Sequence, residues 1–567
     1  MKHSTEQFLR ARNFLIENRT NYEKAYRDFR WPELEDFNWA FDWFDVMAEN
    51  NSNVALWLQA DQPDQGDRAS SMDTKLTFAQ LSERSSQVAS FLKILGINKG
   101  DRILVALPNV APLWDLMLAA MKLGAVLVPT SVQVPAHEIL ERIRRAQVKM
   151  VITDEERISK FSDFSDKLSK DLIRVLVGNR TADWISFDDA YSCSPHFRPT
   201  EQTLSSDPFL FYFTSGSTSK PKLVCHTNHS YPVGHLSTLY WLGLQEGDIH
   251  CNISSPGWAK HAYSSFFAPW NAGATIYLNQ YERFNPKRMI VLLDENSINT
   301  LCAPPTVWRM MIQESLGPKP RGVRELTSAG EPLNPEVIER VQKSWGLTVR
   351  DGFGQTEATI MLGNSPGQKI LLGSIGRPMP GYQLEVLDSL NSSVEEGEMA
   401  VKLRPRPTGL MHGYINEGLN TSVIDSSGYY RTGDEGRIDA DGYFWFVGRG
   451  DDVFKSSDYR ISPFELESAI LEHHAVAESA VVPSPDPVRT CVPKAFIKLK
   501  SGIVPDAATA EDIFSFLNTR LASYQKIRKI EFSDLPKTIT GKIRRTELRT
   551  QEKCRNISVR GVNEFWL

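Results

Sequence analysis

Residues 214–222 read Thr214-Ser215-Gly216-Ser217-Thr218-Ser219-Lys220-Pro221-Lys222, directly after the apolar run 209–213. Five hydroxyls, several backbone N–H groups and one glycine make a loop that can cradle an anion, and Lys222 adds charge. The G-x-x-x-x-G-K-[ST] spacing of a Walker A loop is not met. Taken alone, a Ser/Thr-rich turn is more often only a turn. Further segments rich in glycine and charge lie downstream. They are Ser328-Ala329-Gly330-Glu331-Pro332, Asp351-Gly352-Phe353-Gly354-Gln355-Thr356-Glu357, Tyr430-Arg431-Thr432-Gly433-Asp434, Gly448-Arg449-Gly450-Asp451-Asp452 and Pro536-Lys537-Thr538-Ile539-Thr540-Gly541-Lys542-Ile543. Each has a plain structural reading: Asp434 as a turn cap, Glu357 as an exposed helix-start acid, Lys542 as one cation of a basic surface. Residues 520–549 hold nine Lys and Arg against three Asp and Glu, and such a cluster is usually a solvated face.

The elements that must position these residues are legible from periodicity. Residues 103–107 are a continuous apolar run, 108–109 a breaker, 113–123 a helix and 125–128 a second strand, so the stretch forms a βαβ unit. A helix over 136–147 and a strand over 150–153 come next. The alternation recurs at 276–278, 286–295 and 300–302. Buried strands joined by helices imply parallel sheets covered on both faces. From about 375 to 448 short alternating segments (383–387, 398–403, 443–447) between Gly and Asp turns form a β-rich subdomain. Beyond a break at 448–452, a helix over 463–472, strands over 479–482 and 495–499 and a helix over 511–521 make a small α+β domain. The fold class is α/β. The division is 1–450 as a large core, with a wrap at 1–45 rich in aromatics, then 451–553 as a small second domain and 554–567 as a tail.

At 567 residues, roughly 150 per domain gives about four units. Hydrophobic residues at 41% and charged residues at 23% exclude long disorder. A net charge of −5 leaves no chain-wide basic field for nucleic acid or anionic membrane. The six cysteines (Cys193, Cys225, Cys251, Cys302, Cys491, Cys554) are scattered, unlike a disulfide framework or a zinc site. The N-terminus reaches Arg10, Arg12 and Glu17 without an apolar h-region, which speaks against a secretory signal. The longest apolar stretch, 103–128, is broken by Pro108, Asp115, Lys122 and Gly124, so no transmembrane segment is expected. A cytoplasmic enzyme with reduced thiols is the expectation.

In this order, over more than 300 residues, the six motifs resemble the adenylate-forming superfamily of acyl- and aryl-CoA synthetases, peptide-synthetase adenylation domains and firefly luciferase. The resemblance covers nearly the whole chain. The 37–44 region, the Trp258 segment and residues 457–465 look most like AMP-forming short- and medium-chain acyl-CoA synthetases. The resemblance implies that a carboxylate and ATP give an acyl-adenylate and pyrophosphate, after which a thiol displaces AMP. Neither step needs a covalent enzyme intermediate, so the protein supplies positioning and charge neutralisation. It further implies that Thr214, Ser215, Gly216, Ser217, Thr218 and Lys222 hold the β- and γ-phosphates, and that Gly330, Glu331 and Pro332 lie along the adenine. Asp351 would stand near its amino edge, with Gly352, Phe353 and Arg460 in the same nucleotide set. Thr356 would touch the α-phosphate, Glu357 would hold Mg²⁺, Asp434 would accept the ribose hydroxyls beside Arg449, and Lys542 would bridge carboxylate and α-phosphate. Asp451 would be the hinge that presents first Lys542 and then the Ser457 loop. Ser457, Asp458, Tyr459, Lys526, Arg528 and Lys529 would meet CoA, the last three at its 3′-phosphate.

Three positions depart from the family pattern: Ser219 and Asp458 replace glycines, and Ile527 replaces a proline. Asp458 adds bulk and charge beside the thiol channel, and either turns outward or narrows it. Trp258, Ala259, Lys260, His261, Thr306, Ala329 and Gly354 would line the acyl pocket. Short-chain enzymes close it with Trp where this chain has Gly354, so the expected acid is larger than acetate. Lys260 either faces solvent or pairs with a protein carboxylate. The expected ligands are ATP, Mg²⁺, CoA and a small carboxylic acid, bound by a monomer or homodimer. A carrier protein as acyl acceptor and a catalytically silent nucleotide-binding scaffold are the rival readings.

Overall fold

The computed structural model describes residues 2–60, 73–162, 168–179, 181–214, 221–281, 283–416, 419–421, 427–456, 459–486, 490–537, 542–555, 560–561 and 563–567, with only the backbone of 416, 419–421, 459–460 and 490. It divides into two compact units, Met1–Gln383 with Lys402–Tyr430 and Leu384–Val401 with Arg431–Leu567.

The first unit contains two sheets. In one, strands Val54–Gln59, Thr275–Asn279, Ile249–Asn252, Thr300–Ala303, Glu325–Ala329 and Val349–Gln355 lie side by side in parallel. Antiparallel Ala358–Gly363 and Ser374–Pro378 continue it beyond Val349–Gln355. One face packs on helices Pro286–Glu295, Pro305–Ile312 and Pro335–Trp345 through Tyr277, Leu293, Leu301, Trp308 and Val341. Each such large apolar side chain contributes about 1.5–3 kcal/mol. The other sheet orders Pro208–Thr214, Val126–Pro129, Arg102–Ala106, Met150–Asp154 and Ile173–Val177 in parallel, with Lys222–Thr227 and then Gly413–Asn416 antiparallel beyond Pro208–Thr214. The βαβ reading of 103–128 holds, with its helix at Ala111–Leu123 ended by Gly124 at φ +80°. The helix expected over 136–147 stops at Arg145, because Gln147 turns left-handed at φ +50°.

The aromatic N-terminal segment is folded into this unit. Phe8, Phe37, Trp39 and Phe44 are fully buried. Trp39 Nε1 donates to Asn271 Oδ1 at 2.7 Å, and Arg12 donates to the Asn271 and Ala272 carbonyls at 2.6 and 2.8 Å.

In the second unit, strands Leu384–Leu387, Glu396–Lys402, Tyr429–Ile438 and Phe444–Arg449 form one sheet. A second sheet orders Val476–Asp486, Thr490–Leu499, Lys529–Phe532 and Glu564–Trp566. The segment read as a tail thus ends in an edge strand. The β-rich stretch 375–448 is shared between the units. Gly413 and Tyr414 pair with Cys225 and Val224 in the first, whereas Ser462 donates to the Val447 carbonyl and Phe446 packs edge-on to Phe464 in the second.

Candidate active site

Parallel strands leave a crest at their carboxyl ends, where open α/β sheets bind ligands. Ala329 and Gly352 are register neighbours on that crest. Gly330 comes next at φ +107°, and an added Cβ there would meet nothing within 4 Å. Its backbone therefore lies open beside Glu331 and Pro332. Arg309 steadies this turn: it lies 3.6 Å from Glu331, and donates to Thr306 Oγ1 at 3.0 Å and Asn334 Oδ1 at 3.1 Å.

Asp351 is 5% exposed. Its two oxygens accept from the backbone N–H groups of Leu333 at 3.1 Å and Gly352 at 2.9 Å. Burial pushes the carboxyl up to about 7, opposed by those two donors and by the charge of Lys260. Lys260 therefore does not face solvent. Its Nζ is buried and it acts on the Asp351 carboxylate. Gly352 serves packing as well, since a Cβ there would run into the Trp241 indole, whose Nε1 donates to the Asp351 carbonyl at 3.1 Å. Phe353 is next, half-buried in the same strand.

Thr356 and Glu357 form the turn between Val349–Gln355 and Ala358–Gly363, and not a helix start. Buried His226 holds this turn from below. Burial lowers its pKa to about 4, so the ring is neutral. Nε2 donates to the Thr356 carbonyl at 2.7 Å, and Nδ1 accepts from Ser230 Oγ at 3.2 Å. Tyr414 donates to Glu357 Oε1 at 3.0 Å, with Lys222 Nζ 4.8 Å above the Tyr414 ring. The Glu357 carbonyl accepts from Met411 N–H at 2.7 Å, and Tyr430 donates to Gln355 Oε1 at 2.8 Å. Thr214 and Lys222 are paired across the adjoining strands, which brings the two strands flanking the Ser/Thr-rich segment to this turn. Ser215, Gly216, Ser217, Thr218 and Ser219 lie outside the described residues.

The residues expected to line an acyl pocket follow or end adjacent parallel strands. Trp258 precedes the short helix Ala259–Ala262, Thr306 lies in Pro305–Ile312, and Ala329 ends its own strand. His261 is buried against Asn109 Oδ1, 2.9 Å from Nε2, and the Trp114 ring; burial lowers it to about 3. Gly354 sits tightly: an added Cβ would lie 2.8 Å from the Thr359 carbonyl oxygen.

In the second unit, Asp434 and Arg449 are register partners 3.1 Å apart, with Asp434 buried. Asp451 is exposed and its carbonyl accepts from Arg549. Lys542 is exposed, next to the bridge between Lys537 and Ile543. Tyr459 and Arg460 lie in the strand Tyr459–Ile461, and Ser457 and Asp458 are outside the described residues. Lys526, Arg528 and Lys529 are all half-buried, and Lys529 donates to Ser484 Oγ at 3.0 Å with its Nζ over the Trp566 ring. Ile527 is a core residue.

The family model described as AMP-binding enzyme matches residues 57–415. The chain belongs to the AMP-binding enzyme family. The model of the AMP-binding enzyme C-terminal domain matches residues 465–542. This AMP-binding enzyme is 41% identical to 4-hydroxybutyrate–CoA ligase 1 of Metallosphaera sedula over 94% of each chain. It is 35% identical to the mitochondrial acyl-coenzyme A synthetase ACSM3 of Rattus norvegicus over 95% of each. Among solved structures, the anthranilate CoA ligase AuaEII in complex with anthranoyl-AMP superposes with a TM-score of 0.79, at 27% identity over 90% of this chain and 97% of that one. The acyl-CoA synthetase of Brucella canis superposes at 0.70, with 31% identity over 94% and 99%. No helix among the described residues is long and apolar enough to cross a membrane.

Three residues packed on these motifs carried no sequence signal: His226, Arg309 and Tyr414. They reach Thr356, Glu331 and Glu357 across the fold, His226 from 130 positions away and Tyr414 from 57.

Proposed function

We propose that this AMP-binding enzyme joins a carboxylic acid larger than acetate to CoA, by way of an acyl-adenylate, with ATP and Mg²⁺. The arrangement around Glu357 carries the reading. A carboxylate held by Tyr414 stands beside Lys222 and the ends of the strands that flank the Ser/Thr-rich loop. Such a donor set fits Mg²⁺, which takes one or two carboxylates and completes its shell with water and phosphate oxygens. When bound, the ion would neutralise charge on the phosphates. The chain's own groups do the rest. Hydroxyls and N–H groups after Thr214 would hold the β- and γ-phosphates, and Thr356, fixed by His226, would meet the α-phosphate. Asp351 would accept from the adenine amino group. Asp434 would accept from the ribose hydroxyls, and Lys542 would meet the charge that grows between carboxylate and α-phosphate, lowering the barrier more than it raises affinity.

Lys260 shapes the acid. A buried Nζ whose charge reaches the Asp351 carboxylate favours an acid with a hydroxyl or carbonyl beyond its carboxylate, and the relative named as a 4-hydroxybutyrate–CoA ligase supports this reading. The two CoA ligases and the acyl-CoA synthetases among the relatives support CoA as the acceptor. The test is pyrophosphate release across linear and hydroxylated acids of two to eight carbons, with and without CoA. Release should peak beyond acetate and rise for a hydroxy acid over its unsubstituted counterpart. Equal rates for the two would remove the role given to Lys260.

A further inference from the structure

We propose that Arg545 and Arg549 are positioning residues for Lys542, forming a clamp that makes the segment after Asp451 turn as one piece with it. The inference rests on the reading of Lys542 above. Helix Arg545–Lys553 begins three residues beyond Lys542. Three residues span at most ~10 Å of extended chain, so whatever fixes Arg545 confines Lys542.

Arg545 is fixed by a forked bond. Its Nε and Nη2 donate to the two Glu467 oxygens at 2.9 and 2.5 Å. The Glu467 side chain is 6% exposed, and its Oε1 also accepts from Val481 N–H at 2.8 Å. A guanidinium matches both carboxylate oxygens at once, which an ammonium cannot do. One turn later, Arg549 Nη1 pairs with Asp452 Oδ1 at 2.9 Å and donates to the Asp451 carbonyl. Arg544 N–H donates to the Pro536 carbonyl at 2.8 Å, which ties the chain after Lys542 to the chain before it, and Ile543 packs on the cluster that holds Leu535 and Leu548. The lysine is therefore tethered on both sides.

The anchors of Arg549 are the instructive feature. Asp452 and the carbonyl of Asp451 both belong to the chain after the Asp451 Cα, because the peptide plane 451–452 moves rigidly with the residues C-terminal to it. The clamp adds no restraint on φ and ψ of Asp451, which the Asp452 and Val453 N–H bonds to the Arg449 carbonyl hold here, and it locks the residues beyond. A rotation at Asp451 is then delivered whole to Lys542.

The test uses the full chain and measures two half-reactions separately: acid-dependent pyrophosphate release, and thioester formation from synthetic acyl-adenylate plus CoA. Arg549→Gln should lower pyrophosphate release tenfold or more, leave KM for ATP within twofold, and leave thioester formation within twofold. Arg549→Lys should recover part of the loss. Arg545→Gln should behave alike; because it strands the buried Glu467, the milder Arg549 variant carries the test if Arg545→Gln does not fold. On the residual activity of Lys542→Ala, Arg549→Gln should cause no further loss. Equal loss in both half-reactions, or a full tenfold loss again in the Lys542→Ala background, overturns the clamp. Lys542→Ala with near wild-type pyrophosphate release overturns the underlying reading instead.

Discussion

Replacing Asp351 with Asn should change how stability depends on pH. Burial raises the carboxyl from 3.8 to about 7 in the folded chain, while in the unfolded chain it ionises near its ordinary value. The folded state thus favours the protonated form. That contribution is complete below pH 3.8 and is lost as pH rises towards 7. At about 1.4 kcal/mol per pKa unit, the total loss is about 4 kcal/mol. Roughly half has gone by pH 5.5, leaving about 2 kcal/mol to disappear by pH 8. Asn cannot ionise. Its carbonyl serves only one of the two donors, Leu333 or Gly352, so it carries a pH-independent penalty of about 1 kcal/mol. The wild-type-minus-Asn difference in unfolding free energy should therefore move by about 2 kcal/mol between pH 5.5 and 8, with wild type relatively weaker at pH 8. Urea unfolding monitored by tryptophan fluorescence reads this, since the Trp241 indole rests on the Asp351 backbone. A difference that stays constant with pH, or moves the other way, refutes the raised carboxyl.

Three further outcomes are expected. Tyr414→Phe removes the donor to Glu357, worth about 1.5–3 kcal/mol for a charged acceptor, so half-saturation by Mg²⁺ in pyrophosphate release should rise about tenfold or more; an unchanged Mg²⁺ curve means Glu357 does not hold the ion. Gly354→Trp must push the strand Ala358–Gly363 away from its Cβ, costing about 1–3 kcal/mol of stability, and should shift kcat/KM towards two- and three-carbon acids; an unaltered chain-length profile takes Gly354 out of the pocket wall. Asp458→Gly should leave pyrophosphate release unchanged and thioester formation within a few-fold, whereas a tenfold rise in thioester rate points to an acceptor other than CoA.

Much of the fold was legible because burial writes itself into the sequence. Parallel strands such as Met150–Asp154 and Thr300–Ala303 are covered on both faces and read as unbroken apolar runs. Helix Pro286–Glu295 is announced by its Asn285 cap and first-turn proline, and its bounds coincide with those expected. Helix ends set by a single left-handed residue, as at Gln147, leave no periodic trace. The motifs mark where the candidate site lies, yet not the groups packed around it. Lys222, Tyr414 and Glu357 meet through strand pairing across the first unit, and no local pattern distinguishes Tyr414 from any strand tyrosine. In the basic run at 520–549, composition counts charges, whereas the fold decides their partners, as where Lys529 donates to Ser484. The unit boundary likewise tracks strand pairing and not the glycine-rich break at 448–452.

The central claim is that a carboxylate is activated on the α-phosphate of ATP and then handed to CoA. Exchange of labelled pyrophosphate into ATP, in the presence of the preferred acid and without CoA, tests it most directly, with product analysis once CoA is added. The account predicts exchange that requires the acid, falls by about 10²–10³ in Lys542→Ala, and gives AMP and acyl-CoA in equal amounts when CoA is supplied. Exchange that is indifferent to the acid, or ADP and phosphate as the products, would contradict it.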